Sequence, residues 1–179
     1  MKNWLAGALG ALSIVACSGP ATVDGTVAGH GLDTKDGVVS LIADPGFIAV
    51  FVSDVDGVCE AVQSNTLKKG ETFLMMALAQ RENETFVTPT PGEYLIDSDG
   101  CTSCRAAVVS FWRVNAASCE TNDVSQDAES GKVVLSSYDA AKGAKGTFEL
   151  HFAGGDKLTG EFDVPFCEMP ATTPAVVCQ

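Results

Sequence analysis

The sequence predicts an all-β domain, an antiparallel β-sandwich of about eight short strands stapled by disulfides. Three observations predict it. Short apolar or alternating runs are separated by turns rich in Gly, Asp and Pro. Only one stretch has helical spacing, and the chain of 179 residues holds seven cysteines. An up-and-down β-barrel is the alternative, because it too buries one face of every strand.

The first third of the chain contains two strong strands. Residues 38–42 and 47–52 are β-branched runs separated by Asp-Pro-Gly, a turn sequence. The second run is continuously apolar, which is typical of a strand buried on both faces. Residues 18–31 are small and polar, and two interpretations stay open for them. They form either a flexible tether or an edge strand through the alternating residues 23–27.

The middle of the chain adds one helical stretch and four strands. Residues 58–63 have apolar side chains at helical spacing and predict one or two helical turns. Residues 72–78 follow a glycine and predict a strand. Three further strands are expected over residues 93–96, 106–114 and 131–138.

The clearest element is a C-terminal hairpin. Phe148, Leu150 and Phe152 alternate with charged residues, and the alternation resumes over residues 158–164 after the turn sequence Ala-Gly-Gly-Asp. Gly160 occupies a position where an apolar side chain is expected. Alternation on both sides of a Gly-rich turn predicts two antiparallel strands with one buried and one solvated face.

The start of the chain resembles that of bacterial lipoproteins. Lys2 precedes an apolar run of about a dozen residues, which fits the layout of a signal peptide and is too short for a membrane span. The run ends in Ile-Val-Ala followed by Cys17, which resembles the lipobox. In that family the cysteine is acylated and becomes the first residue after cleavage. We therefore expect a signal peptide over residues 1–16.

The lipoprotein resemblance implies a location and a partner. Cys17 would anchor the chain in a lipid bilayer through at least two acyl chains, which gives durable attachment. Ser18 follows the cysteine, and the family's sorting rule then favours the outer membrane. We expect a lipidated N-terminus and tether over residues 17–31 and the β-sandwich domain over residues 32–179, held in the cell envelope.

The C-terminal 40 or so residues carry a second resemblance. The segment contains Gly-Thr-Phe-Glu-Leu-His-Phe, Gly-Asp-Lys-Leu-Thr-Gly-Glu-Phe and then, after four further residues, a cysteine. It resembles the closing segment of small β-rich lipoproteins of unknown function from Gram-negative bacteria. That family implies a hairpin and brings no catalytic residues.

Assigning Cys17 to lipid leaves an even number of cysteines, which in an exported domain indicates disulfides. We expect Cys59, which opens the helical stretch, to pair with Cys167, which ends the last strand. That bridge would close most of the domain, and longer closed loops remove more unfolded-state entropy. The remaining four would pair among themselves in an order that the sequence does not choose: Cys101, Cys104, Cys119 and Cys178.

The net charge of −12 excludes one class of partner. A nucleic-acid-binding protein needs Lys and Arg to neutralise phosphates, so no nucleic acid is expected. The acidic surface indicates solubility. Beyond the bilayer, the partner we expect is another envelope protein or a glycan. Trp112 is the one tryptophan outside the expected signal peptide, and it is either a core residue or a stacking platform for such a partner.

Two alternative functions rest on short motifs. Cys101 and Cys104 form a C-x-x-C, the spacing of thiol-disulfide oxidoreductases, but no βαβ pattern surrounds them. Residues 54–57 and 97–100 both read Asp-x-Asp-Gly and suggest a Ca²⁺-dependent adhesin, although neither continues as a full calcium loop.

No catalytic constellation is recognisable. The chain has two histidines, His30 and His151, and lacks the G-x-S-x-G of a serine hydrolase. We therefore expect a binding or structural module that is not an enzyme and needs no cofactor or metal.

Overall fold

The computed structural model describes residues 19–43, 46–96, 103–119, 122–170 and 177–178. Across these residues the all-β class is confirmed, with one short helix, α1 (Val58–Ser64). The strands are β1 (Ala21–Thr26), β2 (Asp36–Ala43), β3 (Phe47–Ser53), β4 (Thr66–Leu67), β5 (Thr72–Glu82), β6 (Thr85–Val87), β7 (Gly92–Ile96), β8 (Cys104–Val114), β9 (Asn122–Asp127), β10 (Ser130–Asp139), β11 (Gly143–His151), β12 (Lys157–Val164) and β13 (Val177–Cys178).

Eleven of these strands form a single sheet, so the predicted sandwich is not confirmed. The order is β1-β12-β11-β10-β7-β8-β5-β3-β2, with β6 paired to β5 and β9 paired to β8. The sheet curls into a nearly closed barrel, which fits the alternative expectation. Alternation along a strand shows that one face is buried. It does not show whether that face is covered by a second sheet, as in a sandwich, or by the opposite wall of the same curled sheet, as in a barrel.

The barrel is mixed rather than strictly up-and-down. Strands β7 and β8 pair in parallel, with Leu95 opposite Ala106 and Ile96 opposite Ala107. The other pairings along the sheet order are antiparallel.

The seam of the barrel is closed by the residues that follow β12. Strand β12 pairs with β1 over its first six residues. The chain then turns toward β2, where the N–H of Val39 donates to the carbonyl of Pro165 at 2.9 Å. The N–H of Cys167 donates back to the carbonyl of Val39 at 2.8 Å. These two bonds join the segment after β12 to β2, the strand at the opposite end of the sheet order.

The core fills the inside of the barrel with the inward residues of every long strand. Ile48, Val50 and Val52 of β3 and Leu74, Met76 and Leu78 of β5 alternate with outward residues, as the pleat of a strand requires. The C-terminal hairpin contributes the predicted aromatic face, because Phe148, Phe152 and Phe162 are all buried.

Most local predictions are confirmed. The helical stretch, the eight strong strands and the hairpin are present at the expected places. Of the two interpretations of residues 18–31, the structure has the edge strand, because Ala21–Thr26 pairs with β12. The folded sheet therefore begins before residue 32. The short strands β4, β6, β9 and β13 were not predicted, since they carry no alternating apolar signal.

The hairpin is locked by two reciprocal glycine–aromatic pairs. Gly146 lies opposite Phe162, and Phe148 lies opposite Gly160. Each ring occupies the space over the opposing glycine, so a Cβ added to either glycine would overlap both the ring and a backbone carbonyl. This pairing explains why glycine interrupts the apolar alternation at position 160.

Substitution of either glycine should therefore destabilise the fold. Gly146→Ala and Gly160→Ala are each expected to lower the free energy of unfolding by about 1–3 kcal/mol, the usual cost of overpacking. Urea denaturation measures this change in the free energy of unfolding. Gly31→Ala is the matched control, because Gly31 is exposed and its added Cβ would meet only the Gly25 carbonyl at 3.6 Å. Its effect should stay within about 0.5 kcal/mol. Equal effects at all three positions would contradict the pairing.

Candidate functional site

Three aromatic side chains lie together on the outer face of the sheet. Phe51, Phe73 and Trp112 each alternate with a core residue of β3, β5 or β8, so they point away from the barrel interior. Phe73 lies directly opposite Trp112, and the two ring centroids are 4.9 Å apart at an interplanar angle of 45°. The three side chains are half-buried. Trp112 is thus not part of the barrel core.

Helix α1 covers part of this outer face. A seven-residue helix is too short to be stable by itself in water, so tertiary contacts must hold it. One contact is at its N-terminus, where Oδ2 of Asp36 accepts the N–H groups of Gly57 and Val58, each at 2.9 Å. Gly57 has a φ of 82°, which brings the chain into the helix from the preceding turn.

The Cys59–Cys167 disulfide fixes the same helix to the barrel seam. The two Cα atoms are 5.7 Å apart, and the pairing predicted from loop length is the one present. Around the disulfide, Val38, Val58 and Cys167 form a second buried apolar cluster outside the barrel. Helix α1 is therefore held by a disulfide, a remote carboxylate and a small core of its own.

Between α1 and the sheet lies an open cleft with a volume of about 320 Å³. Its floor is formed by the three outward aromatic residues, and its helical wall by Val58, Ala61 and Val62. The remaining lining residues come from the ends of β3 and β9, from β4, from the connections around β4 and from the chain after the barrel seam: Ser53, Asn65, Thr66, Leu67, Glu71, Asn122 and Met169. Most of these surfaces are apolar, as is usual for a small-molecule site.

The cleft contains one buried carboxylate, that of Glu71. The residue is 6% exposed and is the last residue of the β4–β5 connection, directly before β5. Its Oε1 accepts the hydroxyl of Ser53 at 2.8 Å, and its Oε2 accepts the N–H of Lys68 at 3.1 Å. Both bonds orient the carboxylate, and Glu71 also lines the cleft.

A second disulfide supports the opposite side of the cleft. Cys119 pairs with Cys178, with Cα atoms 5.6 Å apart. Cys178 belongs to β13, which pairs in parallel with β4 and so lies opposite Leu67 of the cleft lining. Both disulfides thus connect segments that border the cleft. Neither crosses the barrel interior.

The C-x-x-C motif lies elsewhere. Cys104 is disulfide-bonded and is the first residue of β8. A thioredoxin-like redox cysteine lies at a helix N-terminus, which lowers its pKa. Cys104 begins a strand instead. Cys101 and Cys17, the cysteine expected to be acylated, both lie outside the described residues.

The acidic turn at residues 54–57 has local structural roles. Oδ1 of Asp54 accepts the N–H of Thr72 at 2.8 Å, and the carbonyl of Asp56 accepts Nζ of Lys68 at 2.6 Å. No group of three or more metal-ligating side chains occurs among the residues that the structure describes. The related turn at residues 97–100 lies outside them.

Neither of the two histidines lines the cleft. His30 belongs to the turn after β1, where its backbone pairs with Val27. Nε2 of His151 lies 3.6 Å from Oε1 of Glu149, whose stronger partner is Nζ of Lys157 at 2.6 Å. The hydrogen bond from Lys157 lowers the pKa of Glu149 below its usual value. This exposed group is an ion-pair network on the solvated face of the hairpin.

A separate buried polar cluster holds β7 against β8. Oε1 of Gln80 accepts the N–H of Thr90 at 3.1 Å and Nε of Arg105 at 3.3 Å. The hydroxyl of Tyr94 donates to the carbonyl of Thr90 at 2.7 Å, and burial raises the pKa of Tyr94. These bonds fix the proline-rich loop before β7. The cluster therefore stabilises the position of β7 beside β8.

The sequence did not indicate that the cleft exists. It named Trp112 as a possible stacking platform, but Glu71, Phe51 and Phe73 were not singled out. Their sequence signal is weak, since an apolar residue on the outward side of a strand has the same pattern as one in a buried strand. Only the position of α1 shows that these side chains face a cleft.

No family model, curated protein or solved structure matches the chain. Among the described residues, no helix has the length and apolar composition that a membrane crossing requires.

Proposed function

We propose that the protein is a lipid-anchored module of the bacterial cell envelope that binds a small apolar ligand in the cleft between α1 and the sheet. The observation that carries the proposal is the cleft itself. It combines three aromatic rings, an apolar helical wall and one oriented carboxylate in about 320 Å³. A concave, largely apolar site with few convergent polar groups is typical of ligand binding.

The anchor rests on the start of the sequence. The basic residue, the apolar run and Ile-Val-Ala-Cys ending at Cys17 resemble a lipobox. The cysteine pairing supports an oxidising compartment, because disulfides persist outside the cytoplasm. Ser18 after the acylated cysteine favours the outer membrane under the family's sorting rule.

The binding role is favoured over catalysis by the chemistry of the cleft. Its lining residues supply one carboxylate, two hydroxyl groups and two amide groups, but no histidine, cysteine, lysine or arginine. The Ser53 hydroxyl donates to Glu71, but acyl or phosphoryl transfer also relies on donors or cations aimed at the developing negative charge, and no cationic side chain lines the cleft to supply one. We therefore propose binding as the role of the cleft.

Acylation at Cys17 is tested by metabolic labelling. Cells that express the protein with radiolabelled palmitate should yield a labelled, membrane-bound product, and Cys17→Ala should yield an unlabelled product outside the membrane fraction. Ser18→Asp is the control, because it keeps the acylated cysteine and alters only the sorting residue. Label on the Cys17→Ala product would contradict the assignment.

Occupation of the cleft is tested by fluorescence. The chain has two tryptophans, so the full chain with Trp4→Phe reports from Trp112 alone. Addition of 1-pentanol should change its emission in a saturable way. Ala61→Phe should abolish the response by filling the cleft from the helical wall. Val108→Phe adds the same ring to the outer face of β8, where Val108 is 61% exposed, and should leave the response unchanged. A response that survives Ala61→Phe would place binding elsewhere.

A further inference from the structure

The carboxylate of Glu71 is buried without a cation. The side chain is 6% exposed, yet no Lys, Arg or His nitrogen of the described residues forms an ion pair with it. Apart from Lys2, every lysine and arginine of the chain is described. Burial of a carboxylate without a positive partner is costly, and most buried charges are paired. The cleft thus contains a buried carboxyl group that has no cationic partner among the described residues.

The carboxylate also has hydrogen-bonding capacity left. Each oxygen accepts one bond from the described residues, one from the Ser53 hydroxyl and one from the Lys68 N–H. An ionised carboxylate has about four acceptor sites. Two of them therefore have no donor among the described residues, and Glu71 is a lining residue of the cleft.

The aromatic floor favours the same kind of ligand. Rings attract a cation over their faces, and tryptophan does so most strongly. Phe51, Phe73 and Trp112 line the same cleft as Glu71. Their apolar surfaces would also contact the hydrocarbon part of a ligand. The volume of about 320 Å³ lies at the small end of ligand sites, which restricts the ligand to a few heavy atoms in addition to its head group.

We propose that the cleft is selective for a small organic cation, a primary ammonium group on a short apolar chain. The ammonium donates to the free acceptor sites of Glu71, and the chain packs on the aromatic floor. This inference rests on the proposed binding function and specifies its ligand class. The net charge of −12 acts in the same direction, because an acidic surface attracts cations and repels anions.

Three probes of equal chain length test the charge preference. Pentylammonium, 1-pentanol and pentanoate are titrated separately into the full chain carrying Trp4→Phe, and Trp112 fluorescence gives each dissociation constant. Pentylammonium should bind about tenfold more tightly than 1-pentanol, which is the gain expected from a charge-assisted hydrogen bond. Pentanoate should bind more weakly than the alcohol.

Glu71→Gln identifies the group responsible. The variant keeps the shape and an acceptor for Ser53 but removes the charge, so pentylammonium should lose its tenfold advantage while 1-pentanol binding stays the same. Glu60→Gln is the matched control, because Glu60 is an exposed residue of α1 outside the cleft lining and its substitution changes the net charge by the same amount. It should leave the preference intact. If Glu71→Gln fails to fold, the three probes still test the charge preference in the protein without that substitution. Added salt should then weaken the binding of pentylammonium.

The outcomes separate the two proposals. Equal binding of pentylammonium and 1-pentanol, or tighter binding of pentanoate, would overturn the cation preference and leave the binding function standing. Absence of binding by all three probes would overturn both. A preference that persists in Glu71→Gln would overturn the role of Glu71.

Discussion

The Cys59–Cys167 disulfide joins the two parts of this structure that matter most, the seam of the barrel and the wall of the cleft. Cys167 lies in the segment whose backbone pairs with Val39 and closes the sheet. Cys59 lies in α1, which forms the cleft wall. In the chain-entropy model, a bridge across 108 residues contributes on the order of 4–5 kcal/mol. That contribution is comparable to the net stability of a small domain.

The barrel and the cleft therefore depend on each other through a short segment. Residues 165–167 leave β12, pair with β2 and place Cys167 under the helix. The hydroxyl of Ser40 donates to the carbonyl of Cys167 at 2.8 Å and fixes the same segment from the sheet side. Because α1 is too short to be stable alone, its position follows from this segment and from Asp36. The cleft is a consequence of how the seam is closed.

Local features of the fold were predictable because they depend on neighbouring residues. The terminal hairpin follows from alternation around a Gly-rich turn, and α1 follows from the spacing of Val58, Ala61 and Val62. The Cys59–Cys167 pairing followed from loop length once Cys17 was set aside. Closure was not predictable, because the pairing of Val39 with Phe166 joins residues over a hundred positions apart and leaves no local pattern.

The site was less predictable than the fold. Glu71 precedes an apolar strand, where sequence alone favours an exposed charge. In the folded chain it is held by Ser53 of β3, Lys68 of the β4–β5 connection and Val114 of β8. The outward Phe51 and Phe73 look like core residues in sequence, and only the single curled sheet shows which face they occupy.

Hydrogen exchange on a disulfide-deleted variant tests this dependence most directly. In Cys59→Ala/Cys167→Ala, amides of Val58–Ser64 and of residues 166–167 should lose more protection than those of Gly143–His151. The double variant Cys119→Ala/Cys178→Ala removes the other bridge and should leave protection in α1 unchanged. If α1 retained its protection without the Cys59–Cys167 bridge, the disulfide would not be what holds the cleft wall to the barrel seam.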